Sequence, residues 1–217
     1  MKTVILIHGI GEQYSDWHKD ASRLFPPDVS HVVPFHWYDL LDNASGAKRV
    51  RWISALIKKA SAGVWWGFAL DFVIGWLLNR AGDLLGYPSI RYKAFERLDK
   101  LIQEQQGDIY LVAHSLGSVL AFEYILTQSP PRVVAFASLG SPLDRNPVKG
   151  RVLERTQADG TLPIKWLNLW GTRDPVVCWT PWRGRMDTFK PDVQKQLKGH
   201  AHGLEGYVAA IPPVFWK

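Results

Sequence analysis

Ser115, in the segment Ala113-His114-Ser115-Leu116-Gly117, has the surroundings of an activated hydroxyl. It follows an aliphatic run, Ile109 to Ala113, and precedes a second apolar run, Leu116 to Gln128, that reads as a helix. A serine on a tight strand-to-helix turn presents its Oγ at the edge of a sheet, provided small residues two before and two after it let the backbone close. Here those residues are Ala113 and Gly117, an alanine standing where glycine is usual, and the turn should tolerate the extra methyl. The competing reading of Ser115 is a plain helix N-cap, a common use of serine.

A serine hydroxyl is a weak nucleophile until a base takes its proton, and the base must itself be oriented by a third group. The histidines that follow Ser115 are His200 and His202, both in Lys198-Gly199-His200-Ala201-His202-Gly203. His202 is the preferred base, since Gly203-Leu204-Glu205-Gly206-Tyr207 places it at a helix entry from which a loop histidine can reach back to the sheet. His200 stays open as the alternative. A metal pair from the two is a weak reading, because no carboxylate stands beside them; no metal is expected. Asp174, in Gly171-Thr172-Arg173-Asp174-Pro175-Val176, follows an apolar run and is the preferred orienting acid. Its competing reading is a turn aspartate before proline; Asp187 and Asp144 are the fallbacks.

Acyl transfer also needs amides aimed at the developing negative charge, each worth about 3 kcal/mol. The N–H of Leu116, at a helix N-terminus just after the serine, supplies one. The second is expected from the loop His8-Gly9-Ile10-Gly11, with Ile10 as the donor. His8 reads as a structural hydrogen-bonding residue rather than a second base.

The elements that would carry these residues alternate. Thr3–Ile7, His31–Phe35, Ile109–Ala113, Val133–Ala137 and Ile164–Trp170 read as strands, the second an outer one because of Pro34. Between them Tyr14–Phe25, Ser89–Gln106 and Leu116–Gln128 read as helices, with Ser89 a candidate N-cap and Gly107 a stop. Such βαβ alternation implies an α/β fold with a mostly parallel sheet and helices on both faces, and a ligand site beyond the carboxyl ends of the strands.

With 217 residues, 47% of them hydrophobic and 21% charged, the chain fits one globular domain spanning 1–217. The net charge of +6 is diffuse and forms no long basic run, so no nucleic-acid partner is expected. One cysteine, Cys178, excludes an internal disulfide framework and reads as a small buried hydrophobe. The apolar run at the start is too short for a signal peptide. Ala62 to Leu78 carries Asp71 and falls short of the ~20 residues that span a bilayer. A cytoplasmic protein is the expectation.

At four places the sequence resembles the α/β-hydrolase superfamily, in particular its lipase- and esterase-like members. They are Val4-Ile5-Leu6-Ile7-His8-Gly9, Val112-Ala113-His114-Ser115-Leu116-Gly117-Ser118, Leu139-Gly140-Ser141-Pro142-Leu143 and Gly171-Thr172-Arg173-Asp174-Pro175-Val176-Val177. The resemblance implies a small version of that fold, without the first antiparallel strands of larger members, and an ester- or lipid-hydrolysing enzyme that needs no cofactor. It carries nucleophile, acid and base onto Ser115, Asp174 and His202. The segment at about 44–88, with Trp52, Trp65, Trp66 and Trp76, reads as a helical cap. Its tryptophans suit a covering layer over the sheet, an apolar acyl pocket or a peripheral membrane contact.

The expected activity is therefore cleavage of a carboxylic ester with an apolar or lipid-like acyl group through a serine acyl-enzyme. Transfer of the acyl group to another acceptor would use the same residues. The reading from a different class is a non-catalytic protein of the same fold that binds a lipid or a partner through its Trp-rich surface.

Overall fold

The computed structural model describes residues 1–9, 16–37, 39–40, 87–145, 148–174, 176–177 and 185–217. Strand β1, Lys2–Ile7, leads to helix α1, Trp17–Ser22, and to β2, Val29–Phe35. Helix α2, Tyr87–Glu104, then precedes β3, Asp108–His114; α3, Leu116–Gln128; β4, Val133–Leu139; and α4, Val148–Thr156. The last elements are β5, Lys165–Gly171; β6, Val193–Leu197; α5, Leu204–Ala209; and a short 3-10 turn, Pro213–Trp216.

The six strands form one sheet in the order β2-β1-β3-β4-β5-β6, and every neighbouring pair is parallel. Parallel strands are covered on both faces, which explains why β1, β3, β4 and β5 are nearly continuous apolar runs rather than alternating ones. Their side chains still alternate in destination. Ile5 and Ile7, Leu111 and Ala113, Phe136 and Trp166 join the layer under α2, α3 and α4. Val4 and Leu6, Tyr110 and Val112, Ala135 and Ala137, Leu167 and Leu169 join the layer under α1, α5 and the 3-10 turn. Helix α3 is buried from Leu116 through Ile125, so it is enclosed on all sides and fixes the turn before it against the sheet.

The expected strands and helices recur with shifted ends, and β2 is an edge strand, where Pro34 needs no ladder donor. Three described elements are additional: α4, which buries only Val152; β6, a polar edge strand; and the 3-10 turn Pro213–Trp216. Helix α2 already includes Tyr87, so Ser89 is inside the helix and not at its N-cap. Apart from Tyr87 and Pro88, the Trp-rich cap segment lies outside the described residues, as do Ile10 and Cys178. Among the described residues no helix is long and apolar enough to cross a membrane.

One charged cluster ties the helical layer together. The carboxylate of Glu123, fully buried on α3, accepts the Tyr87 hydroxyl at 2.9 Å and Arg155 Nε at 2.7 Å, with Arg91 3.8 Å away. It joins α2, α3 and α4 by paired rather than isolated charge.

Candidate active site

The chain passes from β1 to β2 on one side and later enters β3 on the other side of β1, so the strand order reverses between β1 and β3. Ligand sites in open parallel sheets lie at such reversals. Gly9, just beyond β1, and Ser115, just beyond β3, meet there.

Ser115 has φ 52° and ψ −127°, a backbone conformation that residues with a side chain rarely occupy. An ordinary serine N-cap is extended and bonds an amide of the first turn. Ser115 does neither, for its side chain makes no capping hydrogen bond. The strain is held from several directions. Ser115 N–H donates to the Leu139 carbonyl at 2.9 Å, and the Ser115 carbonyl accepts Ser118 N–H at 3.0 Å and the Ser118 hydroxyl at 2.5 Å. Ser118 Oγ also hydrogen-bonds Ser141 Oγ at 2.7 Å, tying the turn to the loop after β4.

The two strand ends interlock. A Cβ on Gly9 would stand 2.5 Å from Ser115 Cβ, and a Cβ on Gly117 would stand 2.3 Å from the His8 carbonyl oxygen. His8 is buried between Trp17 and Trp37, with its Nδ1 2.6 Å from the Gly9 carbonyl oxygen and its own carbonyl accepting Trp37 Nε1 at 3.1 Å.

Asp174, fully buried beyond β5, uses its two oxygens differently. Oδ1 accepts the N–H of Val176 at 2.8 Å, the local turn expected of an aspartate before proline. Oδ2 lies 2.8 Å from His202 Nδ1 and accepts the Tyr207 hydroxyl at 2.5 Å. Burial alone would push this carboxyl up. The charge of His202 and its hydrogen bond, the Tyr207 hydroxyl and the Val176 amide outweigh that effect and hold it below the ordinary aspartate value. An ionised carboxylate has no hydrogen to donate, so the one shared in this contact belongs to His202 Nδ1, which leaves Nε2 facing away from Asp174.

His202 is walled in. The ring of His114, adjacent to Ser115, lies 4.4 Å from it and is tilted by 34°. Gly140, at φ +55° just beyond β4, passes over the pair, and a Cβ there would stand 2.7 Å from Asp174 Oδ2 and 3.1 Å from His202 Nδ1. No hydrogen bond joins Ser115 Oγ to His202 among the described residues.

The alternatives lie elsewhere. His200 Nε2 is 3.0 Å from the Gly203 carbonyl oxygen, its ring stands edge-on to Tyr207, and its carbonyl accepts Arg173 N–H at 3.0 Å, so it shapes the loop. Asp144 accepts the amides of Asp187 and Thr188, and Asp187 points into solvent. Leu116 begins α3, with its N–H at the positive end of the helix. Sequence reasoning missed Tyr207, Gly140 and His114 as neighbours of the pair. His114 and Gly140 lie inside the motifs of the resemblance, and Tyr207 closes the Gly203–Tyr207 segment after His202, where its type alone points to no role.

No protein-family model and no curated protein matches the chain. Solved structures do. A protein described as a YdeN-like hydrolase from Pectobacterium atrosepticum is 12% identical with a TM-score of 0.54, over 97% of this chain and 85% of that one. Est1E from Butyrivibrio proteoclasticus, with ferulic acid bound, is 10% identical with a TM-score of 0.52, over 97% and 86%. The esterase domain of a Rhodothermus marinus protein is 14% identical with a TM-score of 0.50, over 95% and 81%. At such identities the likeness is one of fold.

Proposed function

We propose that this protein, which has the α/β-hydrolase fold, is a serine hydrolase cleaving a carboxylic ester of an apolar acyl group. The observation that carries the reading is the backbone of Ser115: a strained φ of 52° at a helix start, with the hydroxyl left out of capping. Strain of this kind is retained where the fold over-determines it, and it keeps the Oγ turned out of the helix.

In this mechanism Ser115 Oγ attacks the ester carbonyl carbon while His202 Nε2 takes the hydroxyl proton. The carbonyl electron pair moves onto oxygen, where the amides of Leu116 and Ile10 receive it. Asp174 keeps its negative charge, orients the ring through Nδ1 and stabilises the imidazolium. As the tetrahedral intermediate collapses, the C–O bond to the alcohol breaks and His202 returns the proton to the leaving oxygen. Water then repeats the sequence on the acyl-serine and releases the carboxylic acid. None of these steps calls for a cofactor.

The apolar acyl preference rests on the Trp-rich segment at about 44–88. Its test is a series of nitrophenyl esters of increasing chain length. Rising kcat/KM beyond short acyl groups supports the preference, and indifference to length refutes it. Absence of turnover for every ester, with folded protein, would favour a non-catalytic lipid- or partner-binding protein instead.

A further inference from the structure

Tyr207 is fully buried on α5, and its hydroxyl oxygen lies 2.5 Å from Asp174 Oδ2 and 2.7 Å from the amide nitrogen of Gly171. An amide only donates, so the phenol accepts from Gly171 and its single proton is aimed at the carboxylate. Oδ2 therefore takes two donors, Tyr207 O–H and His202 Nδ1–H, while Oδ1 is occupied by Val176 N–H. We propose that Tyr207 is a positioning residue, clamping the Asp174 carboxylate between the end of β5 and α5 so that it meets His202 in one orientation. The inference rests on Asp174 and His202 being the acid and base of the proposed reaction.

The clamp has a chemical consequence as well as a geometric one. Without the phenol, Oδ2 would direct its charge at the His202 Nδ1–H alone, and the pair would hold its proton more tightly. A second donor on the same oxygen spreads that charge and adds to the contacts with His202 and Val176 that together oppose the effect of burial on the carboxylate. Among the described residues, the titratable side chains in ring or hydrogen-bond contact with the clamp are His202, His114 and His200. His114 lies 4.4 Å from the ring of His202 and 6.0 Å from that of Tyr207, and His200 lies 4.2 Å from the ring of Tyr207. Tyr207 is shut off from solvent, so it acts on substrate indirectly, through the groups it touches, Asp174 among them.

The test compares the full chain with Tyr207→Phe and with 3-fluorotyrosine placed at position 207. The phenylalanine variant should move the acid limb of the kcat/KM profile to higher pH by about half a pH unit or more. Its kcat should fall about tenfold, with KM within about twofold of the parent. Fluorotyrosine keeps the shape and is a stronger donor, so it should move the limb to lower pH, and it keeps the inference testable where phenylalanine fails to fold. A purely structural tyrosine would leave both limbs at the parent's pH, which overturns the inference. The carboxylate carbon of Asp174, followed by NMR in the same proteins, needs no turnover. If Ser115 proves inert, the hydrolase reading fails alone; an Asp174 titration unmoved by either substitution overturns the role of Tyr207 whatever the activity.

Discussion

The imidazole of His114 lies 4.4 Å from that of His202, with its plane tilted by 34°. The residue before the candidate nucleophile thus forms a wall for the ring that Asp174 holds from the other end, and the wall limits rotation of that ring. His114→Ala should keep the fold but lower kcat by about 10²-fold, the scale of a displacement near 1 Å. Steady-state kinetics beside circular dichroism check this, and an unchanged kcat would mean that Asp174 alone holds His202.

The two loop histidines separate by variant. His202→Ala should lower kcat by about 10⁴-fold or more, since removing the base leaves only binding and the oxyanion donors. His200→Ala opens the contact with Tyr207 and should lower the unfolding temperature, with a far smaller loss of kcat. The reverse ranking would exchange their roles.

Gly140→Ala should damage both stability and activity. At φ +55° a side chain costs about 1–2 kcal/mol, and the new methyl would press on Asp174 Oδ2 and His202 Nδ1. Denaturant unfolding measures the first effect and kcat the second. A stable variant with parental kcat would show that the loop after β4 yields without moving the pair.

Folding stability should depend on Asp174 below neutral pH. Its carboxyl is held below the ordinary aspartate value in the folded chain, so its contribution is fully present above about pH 4. That contribution is lost as pH falls through the lower folded value. Asp174→Asn should therefore be less stable than the parent near neutrality, with the gap narrowing in acid. Urea unfolding across this range reads the gap, and a constant difference would place the effect outside the ionisation of Asp174.

Much of this site is legible in the sequence because it sits on strands buried on both faces. Ile109–Ala113 and Ile164–Trp170 announce themselves as apolar runs, and the residues just past them, Ser115 and Asp174, stand out by type. Strand β6 does not announce itself, since Val-Gln-Lys-Gln-Leu is an edge with Val193 47% exposed and gives no apolar run. Helix α4 is equally quiet, with Gly150 in its first turn and only Val152 buried. The role of Tyr207 is hidden for a different reason. Its contact with Asp174 spans 33 positions and exists only once α5 packs on the sheet. Local spacing carries no trace of such a meeting. Gly140 is readable as part of a motif, but its closeness to His202 depends on two loops converging from separate strands.

The central claim is that Ser115 is an activated nucleophile. Incubating the folded chain with a fluorophosphonate probe and mapping the adduct by mass spectrometry tests it most directly. The account predicts a single phosphonylated residue, Ser115, with labelling abolished in Ser115→Ala and slowed by about 10³-fold or more in His202→Ala. Folded parent protein that takes no label at Ser115, or that labels equally well after Ser115→Ala, would contradict it.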